Sequence, residues 1–216
     1  MKTIAQLIKK DLLIEWRQRY AISGILIHIF SATFIVYLSV RIVNAPTWNA
    51  LYWVIMLFTS VSAVAKSFIA EGRGKNLYYH SIATPQEIII SKIIYNSMLS
   101  VFLGATSILV YILFMNNPVQ NTASYLLIVL LGCIGFSSTF TMLSAIASKS
   151  GSSNLLMPVL SFPIIIPLLL VLIKASKKSM DGLEMSLIWP DLGILLLLNL
   201  MVVVMAYVLF PFLWKE

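Results

Sequence analysis

Long apolar blocks alternate with short polar breaks along this chain, and the blocks have the length of membrane-crossing helices. A helix needs roughly 20 apolar residues to traverse the hydrocarbon core of a bilayer. Blocks at about 21–40, 50–69, 93–115, 124–147, 155–173 and 192–212 meet that requirement, predicting six spans. The first break carries Arg41 and the aromatic group Trp48, Tyr52 and Trp53, a grouping expected at a membrane–water interface. The second is the long polar stretch 71–92. An uncharged break of Asn116, Asn117 and Pro118 follows, then a polar turn at 148–154 around Lys149 and Gly151, and a second substantial polar segment at 174–191.

The first twenty residues, MKTIAQLIKKDLLIEWRQRY, have a different pattern. Helical spacing puts Ile4, Leu7, Ile8, Leu12 and Ile14 or Trp16 roughly on one face, with Lys9, Lys10, Asp11, Glu15, Arg17 and Arg19 elsewhere. That distribution predicts an amphipathic helix lying in the membrane interface. A signal peptide would put its apolar core nearer the start, whereas about twenty mostly polar residues precede Ala21, so cleavage is not expected.

The stretch 71–92, EGRGKNLYYHSIATPQEIIISK, holds a large share of the charge. Gly72 and Gly74 favour a turn around Arg73 and Lys75, because glycine reaches positive φ without steric cost. Thr84, Pro85 and Glu87 then have capping-box spacing with proline at the first helical position, so a helix should start there.

Composition agrees with the pattern. With 60% hydrophobic and 11% charged residues over 216 positions and a mean hydropathy of +0.94, the chain reads as a single all-α polytopic membrane domain, residues 1–216. The net charge of +7 would suggest nucleic acid in a soluble protein. Here the basic residues lie between spans, where they set topology and meet anionic lipid, so no nucleic-acid partner is expected. Following the zigzag, Lys2, Lys9, Lys10, Arg17, Arg19, Lys66, Arg73, Lys75, Lys92, Lys149 and Lys215 fall on one side, and Arg41, Lys174, Lys177 and Lys178 on the other. The positive-inside rule therefore makes both termini and the 71–92 loop cytoplasmic.

Catalytic signatures are missing. The chain contains no G-x-x-x-x-G-K-[ST] phosphate loop, no H-E-x-x-H and no G-x-S-x-G. The lone Cys133 lies in an apolar block and has no ligand spacing to the two histidines, so neither a disulfide nor a metal site is expected. His28, an ionisable residue inside a span, is the one candidate for haem ligation or proton handling; a neutral imidazole hydrogen-bonded to a neighbouring helix is the favoured reading. His80 reads as a surface residue of the cytoplasmic loop. Gly132, Gly135, Ser137, Ser138, Thr141, Ser144, Ala145 and Ala147 make the fourth span rich in small residues, which suits close helix packing, with a substrate path as the sharper alternative. Pro158, Pro163 and Pro167 each remove a backbone donor from the fifth span, kinking or interrupting it, and suggest a structurally special helix, with motion as one use of it.

The segment from Gly132 through Leu170, with Ala145, Ile146 and Ala147 before a polar turn and then Leu155, Leu156, Pro158, Leu160, Pro163 and Pro167, resembles the CcmB family. So do Lys10, Asp11, Leu12, Glu15, Arg17 and Arg19 near the start, and Ser91, Lys92 and Asn96. The resemblance covers essentially the whole chain. It implies the membrane permease subunit of the cytochrome c maturation ABC transporter: six spans of ABC-2-type permease character, an N-terminal interfacial helix at 1–20 and a cytoplasmic coupling helix within 71–84. The expected partners are a cytoplasmic CcmA-like ATPase, CcmC-like and CcmD-like membrane subunits, a second copy of the chain and the lipid bilayer of the bacterial inner membrane. ATP would act through the partner, haem would be cargo, and no cofactor would be bound by this chain.

The resemblance assigns the ATPase contact to Arg73, Lys75, Leu77, Tyr78, Tyr79 and His80. Where such permeases show a glycine followed by Leu-Glu, this chain has Gly74, Lys75, Asn76, Leu77, Tyr78 and Tyr79. The implied contact is aromatic and basic instead of acidic. Two other functions fit the same architecture: an export permease for a drug, lipid or glycan, and a non-transporting scaffold of a haem-handling complex.

Overall fold

A computed structural model describes residues 2–17, 19–40, 43–64, 83–149 and 153–214. All regular structure among them is helical: α1 (Lys2–Arg17), α2 (Arg19–Ser39), α3 (Ala45–Val64), α4 (Pro85–Met115), α5 (Thr122–Lys149), α6 (Ser153–Met180) and α7 (Met185–Trp214). Five of these, α2, α3, α4, α5 and α7, are long and apolar enough to cross a membrane. The chain is a helical membrane protein.

The start of α4 follows from local sequence. Thr84 is extended at φ −73° and ψ 150°. Its hydroxyl accepts a hydrogen bond from the Glu87 backbone N–H at 3.4 Å, while the Glu87 carboxylate accepts from the Thr84 N–H at 3.1 Å. Two N-terminal donors are thereby satisfied, and Pro85 occupies a position that has no N–H to satisfy. From there α4 continues for 31 residues, about 46 Å at 1.5 Å per residue. A hydrocarbon core is roughly 30 Å thick, so α4 is longer than a crossing requires.

The segment 174–191 is not an independent polar element. Helix α6 carries Lys174, Lys177 and Lys178 in its last turns and ends at Met180 in a Schellman cap. The Leu183 N–H donates to Lys178 O at 3.1 Å and the Gly182 N–H to Ser179 O at 3.3 Å. Gly182 adopts φ +70°, the left-handed conformation that such a cap requires and that glycine takes without penalty. Helix α7 then starts at Met185. Asp191, on its second turn, is clamped by Lys178 at 2.6 Å and Lys174 at 3.3 Å. Ser179 also holds the preceding connection: its hydroxyl donates to Asn121 O at 2.7 Å, and the Asn121 N–H donates to Ser179 O at 3.1 Å.

Helix α5 is the axis of the bundle, packed against α3, α4, α6 and α7. Its small residues are buried, which is the packing use of such residues in a membrane. A Cβ at Gly132 would lie 2.8 Å from the Trp53 ring, so glycine at this position sets how closely α3 approaches α5. Hydroxyls and amides tie the same helices together: Asn96 Nδ2 donates to Thr141 Oγ1 at 2.9 Å, Ser97 and Ser137 meet at 3.3 Å, and Asn199 Nδ2 donates to Leu131 O at 3.0 Å.

Trp48, Tyr52 and Trp53 depart from the expectation of an interfacial belt. All three are buried, with Tyr111 and Tyr125 packed on Trp48 and Tyr52 at ring-centroid distances of 4.8 to 6.1 Å and Phe136 on Trp53 at 6.2 Å. Trp53 Nε1 donates to Ser176 Oγ at 2.9 Å and the Tyr111 hydroxyl to Trp48 O at 3.1 Å. Hydropathy places these rings near a span end but says nothing about which way they face. Packing turns them into the bundle.

Candidate coupling site at the start of α4

Helix α4 is the first described helix after residues 65–82, and its first turns carry the capping box. Helix α1 lies along those turns. Thr3 sits beside Glu87, Asp11 reaches Lys92, and Glu15 reaches Tyr95, so the two helices run side by side in the same direction. The Lys92 ammonium is 3.2 Å from Asp11, with both side chains more than nine-tenths buried. Lys10 approaches the other Asp11 oxygen at 3.0 Å, and the Tyr95 hydroxyl donates to Glu15 at 3.0 Å. Buried charges persist only when paired, because the desolvation cost of an isolated one is several kcal/mol or more. The pair therefore fixes the register of α1 on α4.

The orientation of α1 reverses part of the pattern read from its sequence. Leu7 and Asp11 are buried and Ile4, Ile8 and Glu15 half-buried, so the inward stripe includes both carboxylates. Leu12 and Ile14 are exposed instead of sharing the face of Ile4 and Leu7, as is Leu13 between them. Spacing carried a hint, since Ile4, Ile8, Asp11 and Glu15 fall on one helical stripe. Without a partner cation in view, however, a carboxylate is ordinarily assigned to water. Lys92, counted among the basic residues between spans, lies on the helix that Thr84 starts and is buried there against Asp11.

The other residues singled out in the sequence are spread over the molecule. Arg73, Lys75, Leu77, Tyr78, Tyr79 and His80 lie outside the described residues. Thr84 and Pro85 form the cap of α4. His28 is exposed on α2, on the outer surface of the bundle. Pro158 falls within α6. Pro163 and Pro167 are exposed on the same helix and line a groove of about 240 Å³ with Met142, Leu168, Asn199 and Met205. Among the described residues no group of His, Cys, Asp or Glu is arranged to hold a metal ion.

The arrangement is a capped helix start braced by a second helix through a buried ion pair. A family model described as CcmB protein matches residues 2–213 of the chain. No curated protein and no solved structure matches it.

Proposed function

The chain belongs to the CcmB family, membrane permeases of cytochrome c biogenesis, and from that membership we propose that it is the permease subunit of an ABC transporter complex serving haem delivery, or release of a haem-loaded chaperone. CcmB proteins are the membrane subunits of the haem-export ABC transporter. In this reading α6 completes a set of six spans, both termini are cytoplasmic, and the protein resides in the bacterial inner membrane. The chain itself is non-catalytic. A CcmA-like ATPase docks on residues 71–84, chiefly through Arg73, Lys75, Leu77, Tyr78, Tyr79 and His80, and two copies of the permease with CcmC-like and CcmD-like subunits make up the complex. Haem is cargo, and ATP acts through the partner.

The observation that supports coupling is the braced start of α4. A displacement of the 71–82 connection acts on a helix whose first residues are capped by Thr84 and whose next turns are locked to α1 by Lys92 and Asp11. Both helices then move as one lever against α5.

The reading is tested by deleting the gene and complementing it alongside an ATPase subunit lacking its catalytic carboxylate. Loss of holo c-type cytochromes in the deletion, and failure of the ATPase-dead complex to restore them, are expected. Restoration by the ATPase-dead complex would establish a scaffold, and normal cytochromes in the deletion strain with loss of another exported compound would establish a different cargo.

A further inference from the structure

Asn199 stands midway along α7, a helix long and apolar enough to cross a membrane. Its Nδ2 donates to Leu131 O at 3.0 Å, which fixes the amide against α5. The residue is more than nine-tenths buried, yet its Oδ1 acceptor has no hydrogen-bond partner among the described residues. Room for that oxygen is made by Gly135, where a Cβ would lie 2.5 Å from it. Asn199 is also the buried polar member of the groove of about 240 Å³ between α6 and α7, whose exposed rim is Pro163, Pro167, Met201 and Met205. Pro167 has no N–H to give the Pro163 carbonyl, the acceptor four residues back in the helix, so the groove offers a second acceptor in place of a donor.

We propose that this groove docks a membrane-crossing helix of a different polypeptide, one that presents a hydroxyl or amide donor to Asn199 Oδ1. Acyl chains carry no donor. Headgroup donors would have to reach about 20 Å along α7 from either end, at 1.5 Å per residue. The groove is smaller than the roughly 300–1,000 Å³ of small-molecule sites, and it suits inserted side chains instead. A second copy of this chain does not fit. On 162–170 of α6 and 194–205 of α7, every residue that is not buried is apolar. Two-fold pairing sets a face against itself, so this face would bring Asn199 no donor. A helix with serine, threonine or asparagine at the level of Asn199 supplies one, and Met142, Met201 and Met205, unbranched and easily repacked, close round it. Such docking requires only that α7 crosses the membrane, and depends on neither the cargo nor the ATPase contact.

The test places the full-length protein, with a donor fluorophore at its C-terminus, in proteoliposomes with acceptor-labelled single-span peptides. Two peptides are compared, an all-leucine host and the same host with one central serine. Energy transfer is expected to report roughly threefold to tenfold tighter association of the serine peptide, the range of an interhelical hydrogen bond. Asn199→Leu should erase that difference. So should Met205→Trp, which fills the groove from its rim and leaves Asn199 and its bond to Leu131 in place. Both variants are first matched to the parent protein in thermal unfolding. Equal association of the two peptides with the parent would overturn the proposal, as would a serine preference that survives either substitution. Energy transfer between differently labelled copies of the chain that is lost in Met205→Trp would make the occupant a second copy, and would overturn it as well.

Discussion

Lys92 of α4 and Asp11 of α1 meet at 3.2 Å, each more than nine-tenths buried, although 80 residues separate them in the chain. The contact joins the amphipathic helix that precedes the first span to the helix that follows residues 65–82. It is an ion pair whose two partners are costly to separate and inexpensive to replace together.

Replacing one partner leaves the other charge buried. Asp11→Asn or Lys92→Met is therefore expected to cost about 3–5 kcal/mol, whereas the Asp11→Asn/Lys92→Met double variant should lose much less than the sum of the two. Thermal or denaturant unfolding in nanodiscs, analysed as a double-mutant cycle, measures the coupling. Additive losses would show that the pair does not hold α1 to α4.

Gly132 and Gly24 make a matched comparison. A Cβ at Gly132 meets the Trp53 ring at 2.8 Å, while one at Gly24 has nothing within 4 Å. Gly132→Ala should destabilise by about 1–3 kcal/mol through overpacking of α3 against α5. Gly24→Ala should be neutral or stabilising by about 0.5–1 kcal/mol, since alanine is the better helix former. Equal effects in unfolding experiments would contradict the close α3–α5 approach.

Tyr78 and Tyr79 are the proposed centre of the ATPase contact. Tyr78→Ala/Tyr79→Ala should reduce co-purification of the ATPase by roughly tenfold or more, the scale of a lost aromatic hot spot, with insertion and expression unchanged. Undiminished recovery of the ATPase would move the contact elsewhere.

Features governed by neighbours in the chain were legible before any tertiary structure. Thr84, Pro85 and Glu87 announce a helix start because a capping box closes within four residues. The apolar blocks announce helices because a bilayer leaves backbone polar groups no other partners. The small residues of α5 announced close packing, and they are buried. Five helices satisfy the length and hydropathy of a span.

Direction was not legible. Trp48, Tyr52 and Trp53 have the composition of an interfacial belt, yet they pack inward, Trp48 and Tyr52 on Tyr111 and Tyr125 and Trp53 on Phe136. The 174–191 segment has loop composition, yet Lys174 and Lys178 lie on a continuing helix because Asp191 of the next helix receives them. Asp11 and Glu15 have the character of solvated charges, yet they face α4.

The sequence by itself determined that this is a helical membrane protein, where α4 begins, and the full-length resemblance to its family, because hydropathy, caps and local motifs are written within a few turns of chain. Only the tertiary structure decided which face of each helix points inward. That choice depends on a partner tens of residues away, and a buried charge such as Asp11 becomes tolerable only when Lys92 is there to meet it.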